Sequence, residues 1–536
     1  MSAPADGQEM NVPLGDEYNA AADLIERNLT AGRANKAAFI DAAGAHDYAT
    51  IDRRTSRFAN VLRGLGIDIE QRIALCLVDD VDFPTCFLGA IKAGVVPIPL
   101  STRLTAEDYV YILSDSRARV LVVSAPLFER FEPHLATLPQ LEQVIIADAG
   151  GDPGGDGGGD EPAAQHPRLD DLLAGAAPET EIASTRRDEP CFWLYTSGTT
   201  GRPKGVVHAH GHLLETARLY ATPTLGLHAD DVVFSAAKLF FAYGLGNALT
   251  FPMAVGATAV LLAGPPTPAA VCEMLTRHRP TVFFGVPTLY GMLLADESLL
   301  PDPGQGRLRL CVSAGEALPP ALLERWQARM GVDILDGLGS TEGLHIFLSN
   351  RPGQLRPGSS GQPVPGYDVR LVDDDGQPVA PGELGHLEVA GPSTALMYWN
   401  QRHKSQEVFR GRWMRTGDRY HFDDDGFYHY GGRADDMLKV GGIWVSPFEV
   451  ESALVQHPAV LECAVVGHED HDELVKPKAF VVLKQSPDAG DDALAQELID
   501  FVRDRLAPYK RPRWVAFMSE LPKTATGKIQ RYKLRG

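Results

Sequence analysis

Positive charge is scarce in this sequence: 50 Lys and Arg stand against 70 Asp and Glu, a formal net charge of −20 over 536 residues. Nucleic acids and anionic membrane surfaces demand basic faces, so general binding of either is excluded as the main function. Cysteine is scarce as well. The six, Cys76, Cys86, Cys191, Cys272, Cys311 and Cys463, show no paired or metal-type spacing, which excludes a disulfide framework and favours free thiols in a reducing cytoplasm. Residues 1–13 lack a basic stretch and an apolar run, so no secretory signal is read there. No internal repeat is evident. Charge is missing altogether from 239 to 271, a length that could cross a bilayer. Tyr243, Gly244, Gly246, Asn247, Thr250, Pro252, Gly256 and Gly264 interrupt that run, and such residues survive at membrane depth only when buried in protein. A buried helix followed by a core strand over 258–263 is expected instead, with no membrane partner. Uncharged burial of this kind is also how an apolar substrate pocket begins.

What is present is an α/β pattern. Apolar residues make up 44% and charged residues 22%, the balance of a globular chain long enough for about three or four domain-sized units. Helical periodicity over 22–28, 48–65 and 106–115 alternates with near-continuous apolar runs at 73–78, 95–99, 120–123 and 143–147, which predicts parallel strands covered on both faces. The stretch 148–162 is Gly- and Asp-rich and reads as a linker. Composition shifts again near 435. Beyond it, a helix at 447–454, strands at 459–466 and 479–484 and a helix at 492–506 make about one hundred residues, enough for a small separate domain. The expected organisation is a large multi-subdomain α/β part, 1–434, and a smaller α+β part, 435–536.

One loop carries most of the chemistry. Tyr195-Thr196-Ser197-Gly198-Thr199-Thr200-Gly201-Arg202-Pro203-Lys204-Gly205 gathers glycines that let backbone N–H groups converge on an anion, hydroxyl donors, and the compact charge of Lys204. The apolar lead-in 191–195 predicts a buried strand, placing the loop at a strand end where ligands bind. The P-loop pattern fails, because the sixth position counted from Gly198 is Pro203. The string resembles the signature loop of adenylate-forming enzymes, the superfamily of acyl-CoA synthetases, adenylation domains and luciferases.

Further motifs extend the resemblance along the chain. Asp336-Gly337-Leu338-Gly339-Ser340-Thr341-Glu342 is similar to the family's acidic motif, which implies Mg²⁺ on Glu342 and phosphate at Thr341. A single carboxylate suits Mg²⁺, which leaves other positions to water and phosphate; in isolation a glutamate at a helix start would explain it equally well. Ser313-Ala314-Gly315-Glu316 resembles the adenine shelf, adding Ala314, Gly315, Glu316, Asp336 and Gly337 to the nucleotide set. Arg415-Thr416-Gly417-Asp418 resembles the ribose motif, with Asp418 as acceptor, and Arg433 matches the family arginine at ribose and phosphate. The resemblance implies a hinge at Asp435, and Pro522-Lys523-Thr524-Ala525-Thr526-Gly527-Lys528-Ile529 implies a catalytic lysine at Lys528, which is also a candidate for regulatory acetylation.

The activity implied is ligation of a carboxylic acid to CoA in two steps, with ATP and Mg²⁺, as the smaller domain turns about the hinge. Lys439, Gly441 and Gly442 would then line the CoA tunnel, although a plain β-turn also explains paired glycines. No Ser-centred phosphopantetheine site is visible, so free CoA is expected, with loading of a separate carrier protein as the alternative. Phe241, Ala242, Tyr243, Gly244, Gly337, Leu338, Gly339, His345 and Ile346 resemble the acid pocket of benzoate-CoA ligases. That likeness implies an aryl acid, benzoate first, with hydroxybenzoate or aminobenzoate as alternatives. The aromatics could equally be ordinary core, and His345 could line the pocket or close a helix face. Whether the enzyme forms a homodimer stays open.

Overall fold

The computed structural model describes residues 15–148, 165–196, 202–296, 300–302, 306–440, 443–471, 474–485, 490–523 and 529–535. All but Asp148 of the expected linker lies outside that set. Packing divides the chain into two compact units, Met1–Asp368 with Val389–Met414, and Val369–Glu388 with Arg415–Gly536.

The first unit is built on buried parallel strands. Ala37–Asp41, Thr258–Val260, Val232–Ser235, Val282–Gly285, Leu310–Ala314 and Ile334–Gly339 lie side by side in that order, with antiparallel strands at both edges. Val282–Gly285 and Leu310–Ala314 are buried along their whole length, the signature of a sheet covered on both faces. A second, all-parallel sheet runs Val96–Pro99, Arg72–Cys76, Val120–Ser124, Gln143–Ala147. A third ribbon is antiparallel: Pro190–Thr196, Lys204–Ala209 and Met397–Tyr398. The α/β class read from the sequence is the class of the fold.

The uncharged stretch forms a helix, Ala242–Leu245, buried except for half-buried Tyr243, that loosens into one π turn over Gly246–Thr250 and resumes at Phe251–Val255. It ends at Gly256, whose φ of 79° is left-handed, the conformation glycine adopts without strain. The strand that follows, Thr258–Val260, is shorter than the 258–263 expected, and the Leu262 carbonyl accepts from Lys238 Nζ rather than from a strand neighbour. Among the described residues no helix is long and apolar enough to cross a membrane.

Strand Trp413–Phe422, which belongs to the second unit from Arg415 on, and Tyr428–Arg433 form an antiparallel hairpin. Val460–Glu469, Val475–Leu483 and Trp514–Phe517 form a three-stranded sheet, whose core includes Val450, Leu454, Val465, Val481, Leu498 and Val502. Helix Asp492–Arg503 contributes Leu498 and Val502 to that core from one face, and Asp491 caps its start by accepting from the Leu494 N–H at 2.8 Å. The contact boundary at 414/415 falls about twenty residues before Asp435. The hairpin causes the offset, because Phe448 at the start of helix Pro447–Leu454 packs edge-on against Tyr430 at 5.0 Å. A hinge concerns rotation rather than packing, so the division at 434/435 is carried forward as a proposal.

Candidate active site

Thr196 and Lys204 face each other at the facing ends of strands Pro190–Thr196 and Lys204–Ala209. Ser197, Gly198, Thr199 and Thr200 lie outside the described residues. The stem beneath is clamped: the Tyr195 hydroxyl donates to Asp115 Oδ2 at 2.7 Å, and the Arg72 guanidinium sits 5.6 and 5.5 Å from the rings of Trp193 and Trp399. Lys204 is half-buried and places its ammonium 5.0 Å from the Tyr398 ring centroid.

Glu342 meets the same tyrosine at its hydroxyl. It lies in a turn between antiparallel strands Ile334–Gly339 and Ile346–Ser349, not at a helix start, so a helix dipole does not explain it. Its Oε1 accepts from the Tyr398 hydroxyl at 2.8 Å, and its carbonyl accepts from the Ala395 N–H at 2.8 Å. The Thr341 carbonyl accepts from His208 Nε2 at 2.8 Å. Burial pushes the His208 imidazole down to about 4, so it is a neutral donor at neutral pH.

Ala314 ends strand Leu310–Ala314 opposite Gly337, with Gly315 and Glu316 exposed beyond it. Gly315 has a φ of +93°, the turn that only glycine takes freely. Glu316 accepts from Thr288 Oγ1 at 2.9 Å. Asp336 does not reach this surface. Its side chain is buried, with burial pushing the carboxyl well above the usual carboxylate range, and its carbonyl accepts from the Asn350 N–H and Nδ2. Asp336 is thus packed as a core group beneath the strand end.

The residues matched to an acid pocket are brought together in two layers. Phe241, Tyr243, Leu338 and Gly339 are half-buried and Ala242 is 9% exposed, whereas His345 and Ile346 are 3% and 1% exposed. His345 stands behind Tyr243, its ring centroid 5.6 Å from that of Tyr243 and 4.4 Å from that of Phe251, and its Nε2 meets Asn247 Oδ1 at 3.1 Å. Burial pushes it down to about 3, so it carries no charge. Glycine at 246 makes this possible, since a Cβ there would lie 2.3 Å from His345 Cδ2. Gly244, Gly337 and Gly339 are equally cramped, with a Cβ falling 2.1, 2.9 and 2.5 Å from the carbonyl oxygens of Lys238, Leu348 and His345. Tyr243 is fixed by donating to the carbonyls of Gly285 and Val312, both at 3.3 Å. The segment before Phe241 is held by Asp79, which accepts from the Leu239 N–H, and by Lys238, which donates to the carbonyls of Leu262 and Gly264.

In the second unit Asp418 and Arg433 are paired across the hairpin, Arg433 donating to Asp418 Oδ1 and to the Thr416 carbonyl at 3.1 Å each. Lys439 is exposed on the ribbon Leu438–Val440 and Ile443–Val445. Gly441, Gly442 and Lys528 lie outside the described residues. The residues that sequence reasoning passed over are Tyr398, His208 and Asp79; each is a buried group of an ordinary type, and no spacing marks it.

Comparison with known proteins assigns the class. Residues 25–399 match the AMP-binding enzyme family and residues 449–528 its C-terminal domain, so the chain belongs to the AMP-binding enzymes. Within that class it is 56% identical over 526 residues to the benzoate–CoA ligase of Thauera aromatica, covering 98% of this chain and 97% of that one. It is 49% identical to the 4-hydroxybenzoate–CoA/benzoate–CoA ligase of Rhodopseudomonas palustris, over 98% and 95% of the two chains. Its fold matches a benzoate CoA ligase structure from Burkholderia xenovorans LB400 with a TM-score of 0.88 and 50% identity, over 97% and 100% of the chains.

Proposed function

We propose that this protein is an ATP-dependent aryl-CoA ligase that takes benzoate first, making benzoyl-CoA, AMP and diphosphate through a benzoyl-adenylate. The observation that carries the chemistry is the meeting of Lys204 and Glu342 at one tyrosine. The 56% identity to a benzoate–CoA ligase over nearly the whole chain supports the acid.

In the first step the benzoate oxygen attacks the α-phosphorus in line, and diphosphate leaves. Both reactants are anions, so fixed cations and amides must offset their repulsion. Lys204, Thr196 and the loop residues Ser197, Gly198, Thr199 and Thr200 hold the β and γ phosphates; Thr341 touches phosphate; Ala314, Gly315, Glu316 and Gly337 flank the base. Asp418 and Arg433 serve the ribose and Lys528 bridges carboxylate and α-phosphate. Among the described residues no three His, Cys, Asp or Glu gather into a metal cage, and one carboxylate beside a phosphate loop fits Mg²⁺. Glu342 would hold that ion, which supplies charge neutralisation for the departing diphosphate. In the second step CoA sulfur attacks the acyl carbon and AMP leaves, after rotation about Asp435 brings Lys439, Gly441 and Gly442 to the tunnel. Acetylation of Lys528 would remove its charge and stop the first step. The free, buried cysteines agree with a cytoplasmic setting, and a homodimer is compatible with all of this.

The pocket reading makes a graded prediction. A slot lined by Ala242, Tyr243 and Gly337, with Ile346 packed behind Gly337, cannot strongly reject a small substituent, whereas a site built to hydrogen-bond a ring hydroxyl rejects the analogue lacking it by about 10⁴-fold or more. Benzoate should show the highest kcat/KM, fluorobenzoates should follow closely, and hydroxybenzoates and aminobenzoates should fall about 10–100-fold lower. Ala242→Phe should close the slot, while Ala242→Gly should admit a methyl-substituted ring. CoA-dependent AMP formation across an acid panel measures this. A hydroxybenzoate or aminobenzoate ahead of benzoate by orders of magnitude would overturn the assignment and point to Tyr243, Asn247, Thr288 or His345 as readers of the substituent.

A further inference from the structure

Tyr398 is 4% exposed and sits on the two-residue strand Met397–Tyr398, which pairs with Lys204–Ala209. Its hydroxyl lies 2.8 Å from Glu342 Oε1. A carboxylate only accepts, so the phenol donates. The face of the same ring carries the Lys204 ammonium at 5.0 Å, within the reach of a cation–π contact. The ring itself is held from turning by Phe409, centroid to centroid 5.3 Å. Around it, the Ala395 N–H holds the Glu342 carbonyl and His208, on the strand that begins at Lys204, holds the Thr341 carbonyl. The turn bearing Glu342 is thus tied at two points to the ribbon bearing Lys204, through Tyr398 and His208, and at a third to Ala395 just ahead of it.

Resting on the reading of Lys204 and Glu342 given above, we propose that Tyr398 is a positioning residue for the nucleotide–magnesium site, aiming the Glu342 carboxylate with its hydroxyl and seating Lys204 on its ring. A lysine and a glutamate gathered around one polyphosphate attract each other, and a direct ion pair would mask both. A phenol that engages one through its hydroxyl and the other through its face gives each a neutral partner. It also leaves the second carboxylate oxygen of Glu342 outside this hydrogen bond. The two charges then meet the polyphosphate from fixed directions without a reorganisation step.

The experiment separates hydroxyl from ring. Tyr398→Phe keeps the face and loses the donor; Tyr398→Leu loses both. Calorimetric titration of ATP is run with and without Mg²⁺ on the full chain, beside Glu342→Gln, with thermal midpoints and the rate of thioester formation from presynthesised benzoyl-adenylate. Tyr398→Phe is expected to weaken ATP binding in Mg²⁺ about 10–100-fold, the scale for a lost hydrogen bond to a charged group, and to leave metal-free ATP binding unchanged. Tyr398→Leu is expected to weaken metal-free binding as well, by about 2–5-fold. Thioester formation from the adenylate should keep its rate in both. Mg²⁺-dependent binding that survives Tyr398→Phe intact, while Glu342→Gln loses it, sinks the role of Tyr398 alone. Intact binding in Glu342→Gln overturns the reading of Glu342 beneath it. A fall in thermal midpoint with equal loss in every step would make Tyr398 a packing residue and overturn the proposal too.

Discussion

Lys528→Ala is expected to lower adenylation about 10²–10³-fold, the scale for removing one group that stabilises charge in the transition state, and to spare thioester formation from presynthesised benzoyl-adenylate. The asymmetry follows from the two chemistries. Adenylation joins two anions and needs a cation between the carboxylate and the α-phosphate. Thiol attack on the finished adenylate has no such pair to bridge, so a lysine that has rotated away is not missed. The described flanks are anchored by contacts that do not involve Lys528: Lys523 pairs with Glu462 at 2.6 Å, Lys523 and Ile529 form a β-bridge, and Arg531 grips buried Glu451 through two bonds of 2.7 and 2.9 Å. Single-turnover measurement of diphosphate release and of benzoyl-CoA formation reads the two steps separately. Equal loss in both would remove Lys528 from the role. Enzyme acetylated at Lys528 should reproduce the pattern.

How much of this was legible in the sequence depended on whether a signal was local. Helix Pro447–Leu454 was readable to the residue because Ser446, Pro447 and an apolar face announce it within one turn. Helices Tyr48–Gly64 and Ala106–Ser116 were readable to within a residue. The strand before Gly315 runs Leu310–Ala314, and Arg309 just ahead of it pairs with buried Asp231 at 2.7 Å, a partner 78 positions away that no local pattern announces. The site divides the same way. Lys204 and Glu342 were visible because their types are demanded by phosphate and metal. Tyr398, which brings them together, reads as one more apolar strand residue, and nothing near it in sequence says that its hydroxyl meets position 342. His345 shows the converse: its type left a lining role and a structural one both open, and the glycine at 246 that makes room for it behind Tyr243 is a tertiary fact.

Asp435→Pro is expected to leave adenylation near its normal rate and to abolish thioester formation. Asp435 sits between two anchored groups. On one side Arg433 is bound to Asp418 at 3.1 Å and to the Thr416 carbonyl; on the other, Asp436 is held by Arg531 and Arg535 from the end of the chain. Only Ala434 and Asp435 separate those anchors, so a rotation that preserves both must be absorbed by the backbone of these two residues. Proline fixes φ of residue 435 near −65° and pushes residue 434 toward extended conformations, which removes much of that freedom at once. Adenylation begins in the resting arrangement and should proceed; the arrangement that completes the thiol tunnel should become unreachable, and benzoyl-adenylate should accumulate on the enzyme. Asp435→Ala provides the control, because it deletes the 3.4 Å ion pair between Arg433 and Asp435 while leaving φ free. Rapid-quench analysis of bound adenylate and of benzoyl-CoA decides between the causes. If the alanine variant stalls as the proline variant does, the ion pair matters and the rotation does not; if the proline variant completes both steps at normal rates, the hinge lies elsewhere, with the packing boundary at 414/415 the next place to insert proline.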